Sequence, residues 1–155
     1  MSIESAGQGA AVLEGRFTTT ATRERAWWVL TDYARIPRFV SSLRLSEVKE
    51  RGADGILLAQ ESTVGALLIL KRRFRVLLRV REEPPSRLSF HDISGDSLEL
   101  YEGSWQLTET SAGVEVLYRL KAKSGSGTPA FVAQAVSRKA VRRLLAEVQA
   151  EMARR

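Results

Sequence analysis

A two-residue alternation from Leu68 to Arg81 narrows the fold of this chain more than any other feature. Leu68, Leu70, Arg72, Phe74, Val76, Leu78 and Val80 fall on one side of an extended strand, and Arg73, Arg75, Leu77, Arg79 and Arg81 on the other. Successive strand side chains point to opposite faces. One face is therefore apolar apart from Arg72, while the other carries four arginines in five positions. Val114, Val116, Tyr118 and Leu120 alternate in the same way with Glu115, Leu117, Arg119 and Lys121. Such segments belong to antiparallel strands with one buried and one wet face. Leu88 with Phe90, and Tyr101 with Trp105 and Leu107, mark two further strands. Turn-rich stretches at Arg51–Gly55, Glu83–Ser86, Ser94–Asp96, Thr110–Gly113 and Ser124–Pro129 punctuate the run.

Helical periodicity flanks this strand region. Thr22 is placed to cap a helix over Thr22–Thr31, where Ala26, Val29, Leu30 and Tyr33 recur at helical spacing. Pro37 then restricts the chain, and Asp32–Val40 reads as a turn or a second short helical piece. After Thr128 and Pro129, an N-cap and N1 pair, the spacing predicts a helix to the C-terminus. Its stripe comprises Ala130, Gln134, Ser137, Val141, Leu144, Leu145, Val148 and Met152. That amphipathic face needs an apolar partner, and the apolar face of the sheet supplies one.

The 155 residues fit one domain with a sizeable core. Residues 1–11 read as a flexible lead, with no basic segment preceding an apolar stretch, and 12–155 as the folded unit. With no cysteine and one histidine, disulfides, thiolate metal sites and thiol catalysis are excluded, and no metal site or cofactor is expected. The longest apolar run, Ala66–Leu70, is far short of the roughly 20 residues that span a bilayer, so a cytoplasmic location is expected. The formal charge of +6 is carried mainly by arginine.

Two segments carry a family resemblance. The stretch Ala26-Trp27-Trp28-Val29-Leu30-Thr31-Asp32-Tyr33-Ala34-Arg35-Ile36-Pro37-Arg38-Phe39-Val40 resembles the helix-and-turn region of the START-like superfamily. There a Trp, an apolar pair, an Asp, a Pro and an aromatic recur at these spacings. Gly103-Ser104-Trp105-Gln106-Leu107, followed by Gly113-Val114-Glu115-Val116, resembles its Gly-x-Trp-x-Leu strand and hairpin. The similarity covers roughly residues 12 to 153 and is greatest to the polyketide cyclase/dehydrase and coenzyme-Q-binding branch. It implies an α+β helix-grip fold, with a curved antiparallel sheet of about six to seven strands wrapped on a long C-terminal helix. Two short helices follow the first strand. A cavity between sheet and helix would hold a hydrophobic or amphipathic small molecule. Lipid and quinone binders, aromatase/cyclases and hormone receptors share this fold, so function has to be argued from the site.

The candidate cavity residues are Tyr33, Phe39, Arg72, Phe74, Leu78, Tyr101, Trp105, Tyr118, Gln134, Ser137 and Val141. Arg72 has the parity of the buried face, where an unpaired charge is costly. It is read either as a ligand anchor or as the partner of an interior acid such as Glu99, unless a bulge turns it outward. Gln134 and Ser137 stand in the apolar helix stripe, as cavity hydrogen-bonding groups or as a first turn overhanging the sheet. A tyrosine buries its ring and still offers a phenol. Trp105 is read as core. Glu99, on the same side as Tyr101, is either a structural ion pair or an acid/base group; these two are the only catalytic candidates. His91 and Asp92 are strand neighbours that point apart, so they form no dyad with each other.

Three function classes follow. The favoured one is a carrier of a lipophilic small molecule such as a lipid, quinone or polyketide. The second is a polyketide cyclase or aromatase using Arg72, Glu99 and tyrosines. The third is an interaction protein whose basic sheet face (Arg73, Arg75, Arg79, Arg81, Arg119, Lys121 and Lys123) docks ribosomal RNA or an acidic membrane. Glu61 and Glu115 are placed to neutralise part of that face.

Overall fold

Strand alternation and helix capping assemble the chain around one curved sheet. The structure is a computed structural model that describes residues 2–5, 10–64, 72–125 and 136–155, with side chains throughout except at 2–5, 64 and 72. In chain order the strands are β1 (Ser2–Ser5), β2 (Ala10–Thr19), β3 (Leu43–Gly52), β4 (Gly55–Val64), β5 (Arg72–Glu83), β6 (Arg87–Asp92), β7 (Leu100–Thr110) and β8 (Gly113–Lys123). Helix α1 (Arg23–Thr31) and a 3-10 helix (Tyr33–Arg38) link β2 to β3, and α2 (Arg138–Arg154) is the last element. The eight strands form one antiparallel sheet in the order β1-β2-β8-β7-β6-β5-β4-β3.

The expected strands and short helices are present with their expected faces. Phe74, Val76, Leu78 and Val80 of β5 are buried, and Arg73, Arg75 and Arg81 are exposed. The Thr22 side chain accepts a 3.1 Å hydrogen bond from the Arg25 backbone N–H, capping α1. The apolar stripe of α2 buries Val141, Leu145, Val148 and Met152, and Gln149 ties the helix to β2 through the Thr18 carbonyl at 3.0 Å. Met152, Val29 and Val116 belong to one core shared by α2, α1 and the sheet.

Two expectations need correction. Ser2–Ser5, within the lead expected to be flexible, pairs with β2 from Ser2↔Glu14 to Ser5↔Ala11, adding an edge strand. The four residues carry no alternation of their own, and the pairing comes from the neighbouring strand. Helix α2 begins at Arg138 rather than near Pro129: Ser137 is its N-cap, and its hydroxyl accepts from the Ala140 N–H at 3.1 Å. A serine offers its oxygen to free amides at a helix start more favourably than inside a helix. Gln134 and the Thr128–Pro129 signal lie outside the described residues. So do Leu68 and Leu70, where the long alternation begins.

Candidate functional site

The inner face of the sheet, the 3-10 helix and the near side of α2 enclose a cavity of about 710 Å³. Ligand sites of small molecules commonly measure about 300–1,000 Å³. Each element contributes through its periodicity. β5 presents Phe74, Leu78 and Val80, β7 presents Tyr101 and Trp105, and β8 presents Tyr118 and Leu120. The 3-10 helix and the residues after it supply Tyr33, Ile36, Phe39 and Val40 at one side, and α2 adds Val141, Leu144 and Val148.

Nine of the expected cavity residues, Tyr33, Phe39, Phe74, Leu78, Tyr101, Trp105, Tyr118, Ser137 and Val141, meet around this one space. Arg72 opens β5 with its backbone opposite Val64. Its side chain and the whole of Gln134 lie outside the described residues. Glu99 is not interior. Its side chain is exposed and pairs with Lys123 at 3.5 Å. The chain bends before β7, and Leu98, not Glu99, takes the buried position there. The interior acid expected for Arg72 is therefore not Glu99.

The aromatic rings form a connected floor. Trp105 and Tyr118 have centroids 4.4 Å apart, Phe74 meets Tyr101 edge-on at 5.5 Å, and Phe90 lies 5.9 Å from Tyr101 and 6.5 Å from Tyr118. Phe90 fits because its cross-strand partner is Gly103. A Cβ at Gly103 would stand 2.6 Å from the Phe90 ring and 2.4 Å from the Arg119 carbonyl oxygen. The glycine of the Gly-x-Trp-x-Leu segment thus makes room for a cavity ring.

Polar groups in this floor are few, and the phenols among them are held neutral. Tyr101 and Tyr118 place their hydroxyls within reach of one another. Burial pushes the Tyr101 phenol up to about 12, against a smaller opposing effect of the Tyr118 hydroxyl. Burial likewise holds the Tyr118 proton well above the ordinary tyrosine range, reinforced by Tyr101. Tyr33 donates a hydrogen bond to the Glu82 carboxylate, and its proton is held far above the usual value, first by burial and then by Glu82. These groups offer O–H donors and lone pairs at neutral pH, not phenolate bases.

Several lining groups were not anticipated. On β4, Leu58, Gln60 and Ser62 follow the two-residue period into the cavity wall, and Gln60 donates to Ser46 at 3.2 Å. That alternation is readable in the sequence. Glu147 of α2 lines the space too, and its carboxylate accepts from the Ser41 backbone N–H at 3.3 and 3.2 Å. No local pattern announces such a contact between distant segments. His91 is exposed, and Asp92 is engaged by the Leu77 N–H at 2.9 Å and by Ser94 at 2.7 Å, as a turn-fixing group. On the outer face Glu61 pairs with Arg73 at 3.1 Å and Arg75 at 3.7 Å, and Glu115 pairs with Arg16 at 3.3 Å. Among the described residues there is no cluster of metal-ligating side chains, and no helix is long and apolar enough to cross a membrane.

A family model described as polyketide cyclase/dehydrase and lipid transport matches residues 19–149. Among curated proteins none matches the sequence. Solved structures share the fold at low identity. The Zhui aromatase/cyclase from Streptomyces sp. R1128 superimposes with a TM-score of 0.79 at 15% identity, covering 94% of this chain and 95% of that one. A START superfamily protein from Mycobacterium smegmatis gives 0.75 at 10% identity, covering 91% and 96%. A di-domain aromatase/cyclase of the steffimycin biosynthetic pathway gives 0.72 at 15% identity; 94% of this chain is covered, but it spans only 51% of that protein.

Proposed function

Because the chain belongs to the polyketide cyclase/dehydrase and lipid transport family, we propose that it binds a lipophilic small molecule between its sheet and α2. The observation that carries this reading is the cavity of about 710 Å³, whose aliphatic and aromatic wall holds a pair of neutral phenols. Apolar burial supplies the affinity, at about 25 cal/mol per Å² before ordering costs. Tyr101 and Tyr118 orient the ligand by hydrogen bonding to a carbonyl, quinone or hydroxyl oxygen, since an unmatched polar atom there would lose its water without replacement. Phe74, Leu78, Trp105 and Val141 form the apolar contact surface, Tyr33 and Phe39 flank it beside the 3-10 helix, and Ser137 stands at the start of α2. The location that accompanies this reading is cytoplasmic.

Native mass spectrometry of freshly purified protein tests it. A lipid, quinone or polyketide-sized adduct is expected, and Tyr118→Phe should weaken its retention while leaving the fold intact. A protein that emerges unliganded and also fails to bind the apolar dye N-phenyl-1-naphthylamine would sink the carrier reading.

A cyclase is the second reading, favoured by the same phenol pair. Two neutral O–H groups facing a ketone oxygen would stabilise the enolate that forms as a poly-β-keto chain condenses. Such a step also needs a proton acceptor. The one carboxylate among the described lining residues, Glu147, is engaged by Ser41. Turnover of a poly-β-keto mimic that disappears in Tyr101→Phe and Tyr118→Phe would favour the enzyme over the carrier.

A further inference from the structure

The cavity wall changes character along its length. One end is ringed by Trp105, Tyr118 and Phe90, all buried. Where β3 begins and α2 starts, the lining includes three exposed residues, Ser42, Lys139 and Arg143. Lys139 and Arg143 are four residues apart on α2, which places them on the same side of the helix, one turn from each other. Neither has an acidic partner among the described residues. The natural candidate, Glu147, stands at the i+4 position from Arg143, yet its carboxylate turns to the Ser41 N–H instead.

The placement of these cations also opposes a local rule. The first turn of α2 holds no acidic residue, and Arg138, Lys139, Arg142 and Arg143 all fall within its first six positions. The N-terminal end of a helix carries the positive end of its dipole and favours anions. Basic residues gathered there disfavour the helix unless an anion offsets them, and local violations of this kind concentrate at functional sites.

We propose that the ligand is an amphiphile with one anionic head group, seated with its apolar body against the Trp105–Tyr118 end and its head between Lys139 and Arg143. This rests on the cavity being a ligand site, and it narrows the ligand class from lipophilic molecules to lipophilic anions. The anion at the mouth keeps its charge partly hydrated, while the uncharged body fills the dry end, where no cation among the described residues could balance it.

Two dyes with one aromatic body separate the cases. 8-Anilinonaphthalene-1-sulfonate carries a sulfonate that N-phenyl-1-naphthylamine lacks, and both report binding by fluorescence. The full chain should bind the sulfonate about five- to tenfold more tightly at low salt, as two solvent-exposed ion pairs allow. The preference should shrink as salt is added. In Lys139→Ala/Arg143→Ala the preference should vanish, while affinity for the neutral dye stays within twofold and the circular dichroism spectrum is unchanged. Equal affinity for both dyes in the parent protein overturns the head-group assignment and leaves the carrier reading standing. A preference that survives the double substitution overturns it as well. If neither dye binds, the cavity is not a ligand site and both readings fall together.

Discussion

Burial raises the proton affinity of Tyr33, Tyr101 and Tyr118, and these are all the tyrosines the chain has. A phenol whose folded-state value lies above its unfolded value of about 10 binds its proton more tightly when folded. Its stabilising contribution is therefore complete below pH 10 and is lost as pH rises through the folded value, about 12 for Tyr101. An ultraviolet titration of the folded protein should show almost no phenolate near pH 10, with ionisation arriving late and together with loss of structure. In denaturant all three should titrate near 10. A tyrosine that ionises near pH 10 with the fold intact would contradict its burial. Gly103 makes a second point at this scale. Gly103→Ala forces a methyl group onto the Phe90 ring and the Arg119 carbonyl. Overpacking of this kind costs about 1–3 kcal/mol, readable as a lower denaturation midpoint. Because the displaced ring lines the cavity, affinity for the neutral dye should fall as well. A Gly103→Ala protein with unchanged midpoint and affinity would mean that the ring yields without consequence.

Among the elements, α2 is held near its C-terminal end by contacts from afar. Near its end Arg155 places its guanidinium 4.4 Å from the Trp28 ring centre and 5.6 Å from that of Phe39. Its Nε donates to Glu151 at 2.7 Å and its Nη1 to Asp32 at 3.3 Å. Glu151 is buried, so removing its main partner strands a carboxylate in a dry place. Arg155→Ala should cost about 2–4 kcal/mol, less than a complete loss of pairing because Arg154 still stands 3.8 Å from Glu151. Arg154→Ala, at an exposed position, should cost under about 0.5 kcal/mol. Equal midpoints for the two variants would show that the Arg155 cluster contributes nothing. The same scale separates what the sequence discloses from what it conceals. β5 is legible because period-two burial is written in its own residues, and α1 because Thr22 offers a cap and Ala26, Val29 and Leu30 recur at helical spacing. The parity that puts Glu99 inside holds only within a strand, and the bend before Leu100 passes the buried position to Leu98. The inward-facing aromatics of the site were readable from the alternation. Glu82 beneath Tyr33 and Glu147 beneath Ser41 were not, since those contacts join segments 49 and 106 residues apart.

For the molecule as a whole, the arginine excess and the cavity act in opposite directions. Part of the excess faces outward on the sheet, where Glu61 pairs with two of the arginines, Arg73 and Arg75. An unfilled cavity of about 710 Å³ deprives its lining of contacts that a tightly packed interior would supply. A ligand that enters it stabilises only the folded state, by about 2.7 kcal/mol at a hundredfold excess over Kd. In a domain of this length each kcal/mol moves Tm by about 2–4 °C. Saturating N-phenyl-1-naphthylamine should therefore raise the melting temperature by about 5–11 °C. Leu78→Trp fills the middle of the same space, so it should reduce that shift by more than half while leaving the ligand-free protein folded. The contrast between the two proteins locates the binding. A shift of equal size in both would place the dye on the surface, away from the space between sheet and helix.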